Sequence, residues 1–264
     1  MKRLVIAVLA SILSMTVFAE GYQVNLLSTK QTGMGHVGTG MKLGAESMHF
    51  NPAGLVFLRT NMDFSLGISA IMAKAKYSYD GYSAKTDNPV GTPLYAYAGF
   101  KIYDNLAAGI SLTTPYGNSL KWPKNWAGAG LIQDISLKSY VIQPTLSYKI
   151  TDRLSIGVGL QLAWGNVNLS RALMGASDLQ GIGTKFESLL PLLAGVPSNI
   201  IPDADKQAMQ EMVALMKGTE VPPAYARLEG NAHMRVGFNV GIMYDVCDKV
   251  TVGLSYRSKI KMRV

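Results

Sequence analysis

One cysteine in 264 residues, Cys247, excludes an internal disulfide, so an oxidising destination is tolerated without being exploited. Only three histidines are present, His36, His49 and His233, and none stands at metal-ligand spacing from other His, Cys or carboxylate residues. His36 and His49 fall in a glycine-rich stretch, and nothing around His233 pairs a nucleophile with a base. No catalytic set, metal or cofactor is expected, and the chain does not read as an enzyme. Charged residues make up 16%; the formal charge of +8, less the two charges of Lys2 and Arg3, leaves +6 on scattered side chains. That scatter argues against nucleic acid as a partner. Although 48% of the residues are hydrophobic, beyond the N-terminus no apolar stretch approaches the roughly 18 to 20 residues of a membrane-spanning helix.

The N-terminus has its own logic. Lys2 and Arg3 precede an apolar run from Leu4 to Phe18, and Val17-Phe18-Ala19 then offers small residues for cleavage. Residues 1–19 therefore read as a signal peptide, too short for a spanning helix and without a cysteine to carry lipid, with the mature chain starting at Glu20. Secreted, periplasmic and β-barrel proteins remain.

What is abundant is alternation. Leu106, Ala108, Ile110 and Leu112 oppose Ala107, Gly109, Ser111 and Thr113; Tyr140, Ile142, Pro144, Leu146, Tyr148 and Ile150 oppose Val141, Gln143, Thr145, Ser147 and Lys149; Val250, Val252, Leu254 and Tyr256 oppose Thr251, Gly253, Ser255 and Arg257. The same period of two covers about 62–78, 94–102, 154–164 and 236–244, making seven strands. Many run near the roughly 9 to 11 residues of a tilted membrane strand, longer than the 5 to 6 of soluble sheets. Apolar residues take the even face, with aromatics near the strand ends, and Gly, Ser, Thr, Lys and Arg take the odd face, as a lipid-facing wall around a wet lumen requires. The connections alternate too. Residues 103–105, 151–153 and 245–249 are tight, whereas 80–92, 117–138 and 172–229 are long, matching short periplasmic turns and long outer loops. The expected fold is all-β: a transmembrane antiparallel up-and-down barrel over 61–264, partial in extent.

Residues 20–60 show no alternation and carry Gly33, Gly35, Gly38, Gly40, Gly44 and Asn51-Pro52-Ala53-Gly54. Irregular backbone cannot face lipid, so this segment is expected in the periplasm or inside the barrel as a plug. Gly33-Met34-Gly35-His36-Val37-Gly38 matches a dinucleotide-binding pattern, but without a preceding buried strand it is a chance match. Within the long loop 172–229 a helix is expected from Asp203, after Pro202, to Gly218. Its Met209, Met212 and Met216, with Leu189, Leu190 and Leu193, suit either packing on neighbouring loops or capture of a hydrophobic ligand, for which flexible methionines are adaptable.

The mature start Gly21-Tyr22-Gln23-Val24-Asn25, Asn51-Pro52-Ala53, Tyr116-Gly117, Asn125-Trp126-Ala127-Gly128, Leu146-Ser147-Tyr148-Lys149 and Leu254-Ser255-Tyr256-Arg257-Ser258-Lys259 follow one another in an order and spacing that resembles the outer-membrane long-chain fatty-acid transporter family, the FadL and toluene-transporter type. The resemblance spans nearly the whole mature chain and corresponds to the family's N-terminal half. It implies a fourteen-stranded barrel with an N-terminal hatch, outer loops that capture hydrophobic molecules, and a lateral opening beside a kinked third strand. Asn51, Pro52 and Ala53 would belong to the hatch next to that opening, and Pro115 and Gly117 would loosen strand pairing there, although Pro115-Tyr116-Gly117 also suits an ordinary strand-ending turn. Among the lumen-facing cations Lys101, Lys149, Arg171, Arg257 and Lys259, the candidates for holding a ligand carboxylate are Arg171, Arg257 and Lys259. The implied partners are the outer-membrane bilayer of a Gram-negative cell and a hydrophobic small molecule, with a monomer at full length. Because seven strands leave an open sheet, the chain reads as a truncated piece of a longer gene product. A general pore or a structural or adhesive protein on the same scaffold is the alternative function.

Overall fold

The computed structural model describes residues 23–263; the expected signal peptide, residues 1–19, and the expected mature start at Glu20 lie outside the described residues. Among the described residues the ten strands are β1 (Met62–Ile68), β2 (Lys76–Tyr79), β3 (Tyr82–Lys85), β4 (Leu94–Tyr103), β5 (Leu106–Thr113), β6 (Gly117–Lys121), β7 (Asp134–Lys149), β8 (Leu154–Ala172), β9 (Tyr225–Cys247) and β10 (Val250–Arg257). Seven of them form one antiparallel meander in the order β1-β4-β5-β7-β8-β9-β10, with β6 added on β7. Among the described residues β1 and β10 are the two edges of an unclosed wall.

The sheet is apolar on its outside and polar on its inside, the inverse of a soluble sheet. Even-numbered residues such as Leu66, Ile110, Leu146, Val158, Val240 and Leu254 are exposed, whereas odd-numbered Gln143, Ser147, Ser155, Gln161 and Asn239 are buried beneath the N-terminal segment. No helix among the described residues is long and apolar enough to cross a membrane. The strands supply the lipid-facing surface instead. Tyr140 and Trp164 stack at 5.9 Å on the outer side, and Tyr148 and Tyr244 sit near the tight turns. Tyr140 to Tyr148 is eight residues, about 20 Å after strand tilt, close to the apolar band of an outer-membrane wall.

Two strand expectations need correction. The alternation over 62–78 does not make one strand: β1 stops at Ile68, and Lys76–Tyr79 pairs with β3 in a separate hairpin closed by Asp80-Gly81, both at positive φ. Past Ile68 the facing segment carries Pro89 and Pro93, which have no N–H for a ladder, and what survives is the Ser69 N–H donating to the Pro93 carbonyl at 2.9 Å and an isolated bridge between Ile71 and Gly91. Conversely β7, β8 and β9 run well beyond the expected 140–150, 154–164 and 236–244. Their outer extensions carry Asn166, Asn168, Glu229 and Asn231, wetted on both faces, so the apolar alternation that marks a lipid-facing strand is absent.

Inside the curve of the sheet lies the segment 23–58. It contains α1 (Thr29–Gly33), capped by the Ser28 hydroxyl accepting from the Gln31 N–H, a 3-10 turn at Gly44–Glu46, α2 (Ser47–Phe50) and a second 3-10 turn at Pro52–Phe57. Ala45, Met48, Leu55, Val56 and Leu58 pack with Tyr95, Tyr97 and Ala107 of the wall into a small core. Gly33 ends α1, so the glycine pattern that follows comes after a helix rather than a strand.

On the long-loop side, Trp122 and Trp126 stack at 4.1 Å and pack with Ala84 of β3, Ala129 and Ala172 of β8. The expected helix is present as Asp203–Lys217, and two helices precede it, so in chain order they are α3 (Ala176–Glu187), α4 (Leu190–Ala194) and α5 (Asp203–Lys217).

Candidate functional site

The seat of Asn51-Pro52-Ala53 is built from the smallest side chains of the wall. Asn51 caps the second 3-10 turn by accepting from the Ala53 N–H at 3.1 Å, and its amide donates to the carbonyls of Thr39 (2.7 Å) and Ile242 (3.1 Å). The Ala53 carbonyl accepts from the hydroxyls of Ser147 (3.1 Å) and Ser155 (3.0 Å). Gly157 and Gly241 face each other across β8 and β9. A Cβ on Gly157 would come within 2.3 Å of the Pro52 carbonyl carbon, and one on Gly241 within 2.0 Å of Asn51 Oδ1. The motif thus lies against β7, β8 and β9.

Above this seat the lumen floor is polar. Gln143 donates to the Met48 carbonyl (2.6 Å), Asn239 to the carbonyls of Met48 (3.3 Å) and His49 (3.1 Å), and Gln161 to Gln143 Oε1 (3.0 Å). Arg257 reaches in from the end of β10 and donates to the His49 carbonyl at 2.5 Å. Tyr97 and Tyr116 are among the polar neighbours of its guanidinium, and the Tyr97 hydroxyl is tied to the Leu27 carbonyl (2.9 Å). Among the buried side-chain atoms without a hydrogen-bond partner are Arg257 Nε and Gln161 Oε1. A buried donor without a partner is costly unless water or a ligand meets it. The His49 imidazole is held well below its ordinary pKa, first by burial and then by the positive charge of Arg257, so it is neutral beneath the floor. Glu46, also buried, accepts from the hydroxyls of Ser28 and Ser65 and lies 3.8 Å from Lys30 Nζ.

The wall is interrupted on the third meander strand. Pairing between β4 and β5 ends at Leu94 and Thr114, where the Thr114 N–H donates to the Leu94 carbonyl at 3.2 Å. Pro115 has no N–H to continue the ladder, and β6 resumes on β7 alone. The N-terminal segment substitutes for the missing partner: the Val24 N–H donates to the Pro115 carbonyl at 2.8 Å, and Gln23 bridges Tyr116. Beside the break is a cavity of about 270 Å³, bordered by Val24, Ile71, Pro93, Thr114, Tyr116 and Gly117. The break brings Pro115 and Gly117 together with Val24, whereas Asn51, Pro52 and Ala53 sit at β7–β9.

The remaining sequence candidates are dispersed. Met209 and Met216 are half-buried on the inner side of α5 beside buried Val213, Leu190 and Leu193 are half-buried on α4, and Leu189 and Met212 are exposed. Gly183 of α3 lets α5 approach, since a Cβ there would come within 3.0 Å of Met216 Cβ. Arg171 is exposed at the outer end of β8, Lys259 is exposed just past β10, and only Arg257 of the three is packed into the floor. Lys149 lies at the tight-turn end, where it and Lys42 flank the Phe57 ring at 5.4 and 4.1 Å. The Gln143–Gln161–Asn239 floor and the buried Glu46 were not singled out from the sequence, and Val24 entered there only as part of the mature-start motif. Strand parity alone places Gln143, Gln161 and Asn239 on the lumen face, but the hatch partners of Gln143 and Asn239 lie 95 to 191 residues away.

The family model described as "Outer membrane protein transport protein (OMPP1/FadL/TodX)" matches residues 10–264. The long-chain fatty acid transport protein of Escherichia coli K12 is 26% identical over 263 residues, covering 97% of this chain and 55% of that protein. The chain therefore spans about half the length of the curated relatives it matches. Among solved structures, a Pseudomonas aeruginosa FadL homologue superposes with a TM-score of 0.60 at 19% identity, over 91% of this chain and 53% of that one. The Pseudomonas putida toluene transporter TodX gives 0.57 at 17%, over 93% and 56%. These last two likenesses concern the fold.

Proposed function

The chain belongs to the outer membrane protein transport protein family (OMPP1/FadL/TodX), and from that premise we propose that it serves passive passage of hydrophobic compounds, long-chain fatty acids foremost, from the outer loops into the barrel and sideways into the bilayer. The observation that carries this reading is the break in the wall. Strand pairing stops at Thr114, an apolar-bordered cavity opens beside it, and the wall there is completed by two residues of the N-terminal segment rather than by a strand. Opening such a closure disrupts a single β-bridge, the one that contains the Val24 to Pro115 hydrogen bond, a far smaller change than parting two full strands.

Arg257 supports a carboxylate as the polar end of the cargo. Its guanidinium is buried with a donor unpaired, and burial lets a single charge act in low dielectric. The leucines and methionines of α4 and α5 are proposed as the outer capture surface, and Arg171, exposed at the rim, and Lys259, just past β10, as earlier stations for the carboxylate.

The test is displacement of a fluorescent fatty acid from the intact purified protein by oleate and by toluene. Arg257→Met is expected to weaken oleate by about 10- to 100-fold, the worth of a charge-assisted hydrogen bond, while leaving toluene within about threefold. Failure of unmodified protein to bind either compound would end this reading. Equal loss for both would remove the carboxylate from it.

A further inference from the structure

We propose that the outward face of β7, β8 and β9, immediately beyond the Tyr140–Trp164 pair, binds the sugar-phosphate headgroup of an outer-leaflet glycolipid. The proposal rests on the outward orientation of the long-loop end but not on transport. In the antiparallel register Tyr140 lies opposite Trp164, Lys138 opposite Asn166, and Asn166 in turn opposite Asn231. One step further out Ser136 lies opposite Asn168, and Asn168 opposite Glu229. Cross-strand partners share a face, and residues two apart on a strand share it too. The outer surface therefore reads, in successive rows, as aromatic pair, lysine with two asparagines, then serine with asparagine and glutamate.

These six polar residues line a hollow of about 330 Å³. Each row adds about 7 Å along the strand, so the first polar row lies just past the aromatic belt, at the depth of lipid headgroups rather than of acyl chains or bulk water. Glu229 is already engaged by Arg227 at 2.5 Å, and Arg227 Nε also donates to Asn168 at 3.3 Å. Among the described residues no carboxylate is within ion-pair range of Lys138. The hollow therefore offers one free cation flanked by amides.

That combination fits one class of lipid. A phosphate is met by the ammonium of Lys138, ring hydroxyls are met by side-chain amides that both donate and accept, and the acyl chains continue onto Tyr140 and Trp164. A simple phospholipid would use the lysine but leave the asparagine row without sugar hydroxyls. A protein partner would need an apolar centre, which the two polar rows do not provide.

The experiment is native mass spectrometry of the intact protein in mild detergent, titrated with bisphosphorylated lipid A, dephosphorylated lipid A and phosphatidylglycerol, with inorganic phosphate as competitor. Bisphosphorylated lipid A is expected to bind at least tenfold more tightly than phosphatidylglycerol and to resist millimolar phosphate. Lys138→Gln is expected to abolish the preference for the phosphorylated form, and the double variant Asn166→Ala, Asn231→Ala to weaken both forms of lipid A severalfold. Equal affinity for phosphatidylglycerol and lipid A, full competition by free phosphate, or no effect of either variant would overturn the proposal. Retention of the heat-dependent gel shift verifies that each variant is folded, and fatty-acid displacement on the double variant reads the transport proposal separately.

Discussion

Gly157 and Gly241 leave the space that Asn51 and Pro52 occupy, and at Gly157 the nearest atoms are backbone atoms of Pro52 and Ala53. Such atoms cannot swing aside as the end of a flexible side chain would. Gly157→Val is therefore expected to unseat the hatch at a cost of about 3 kcal/mol, the upper range for overpacking. Limited proteolysis should cut residues 23–58 faster while the barrel keeps its gel shift, and Gly130→Ala, with nothing within 4 Å, should change neither. His49 adds a pH dependence. Its imidazole has a lower pKa buried in the seated hatch than the value of about 6.5 it regains when the hatch is released, so the released state binds the proton more readily. Seating is thus expected to be independent of pH above about 7.5 and to weaken progressively as pH falls below 6.5; protease sensitivity measured from pH 8 to 5 checks this, and His49→Gln should flatten the profile. Of this pair of arguments the sequence displayed Asn51-Pro52-Ala53 and the histidine. It did not display the glycines as their seat, because alternation assigns Gly157 and Gly241 to a face without saying which hatch atom arrives there.

Elements were legible in proportion to how strongly lipid constrained them. The parts of β4, β5, β7, β8, β9 and β10 that face the bilayer follow the period of two, and the wall order follows their sequence. Where water wets both faces the constraint lapses, which is why the outer extensions of β8 and β9 and the hairpin β2–β3 were missed. Helix α5 announced itself through Pro202, Asp203 and Gly218, whereas α3 was hidden by Gly181 and Gly183, two poor helix formers. Gly183 is retained for packing, and it sets the closeness of α3 to α5. Gly183→Leu is expected to push Met216 and Lys217 away, costing about 1–3 kcal/mol locally. The measurable result should be a severalfold slower capture of a fluorescent fatty acid with the barrel's gel shift unchanged.

At the scale of the whole molecule, the described wall is an antiparallel sheet with β1 and β10 unpaired, and backbone groups along two such edges cannot be satisfied by acyl chains. Expressed by itself, the 264-residue chain is expected to show no heat-dependent gel shift in outer membranes; supplied with strands to pair both edges it should, and that completed barrel is the form in which the gel shifts and ligand tests above are read. A clear shift from the chain alone would mean that it closes by itself or with copies of itself. The sequence by itself determined the wall: strand number in the meander, which face meets lipid, and which connections are short, since each is a local consequence of keeping polar groups out of hydrocarbon. Only the tertiary structure decided where the hatch sits, how Val24 completes the wall at Pro115, and that Arg257 rather than Arg171 or Lys259 enters the floor. Those contacts join residues tens to hundreds apart through shape and single hydrogen bonds, and no periodicity encodes them.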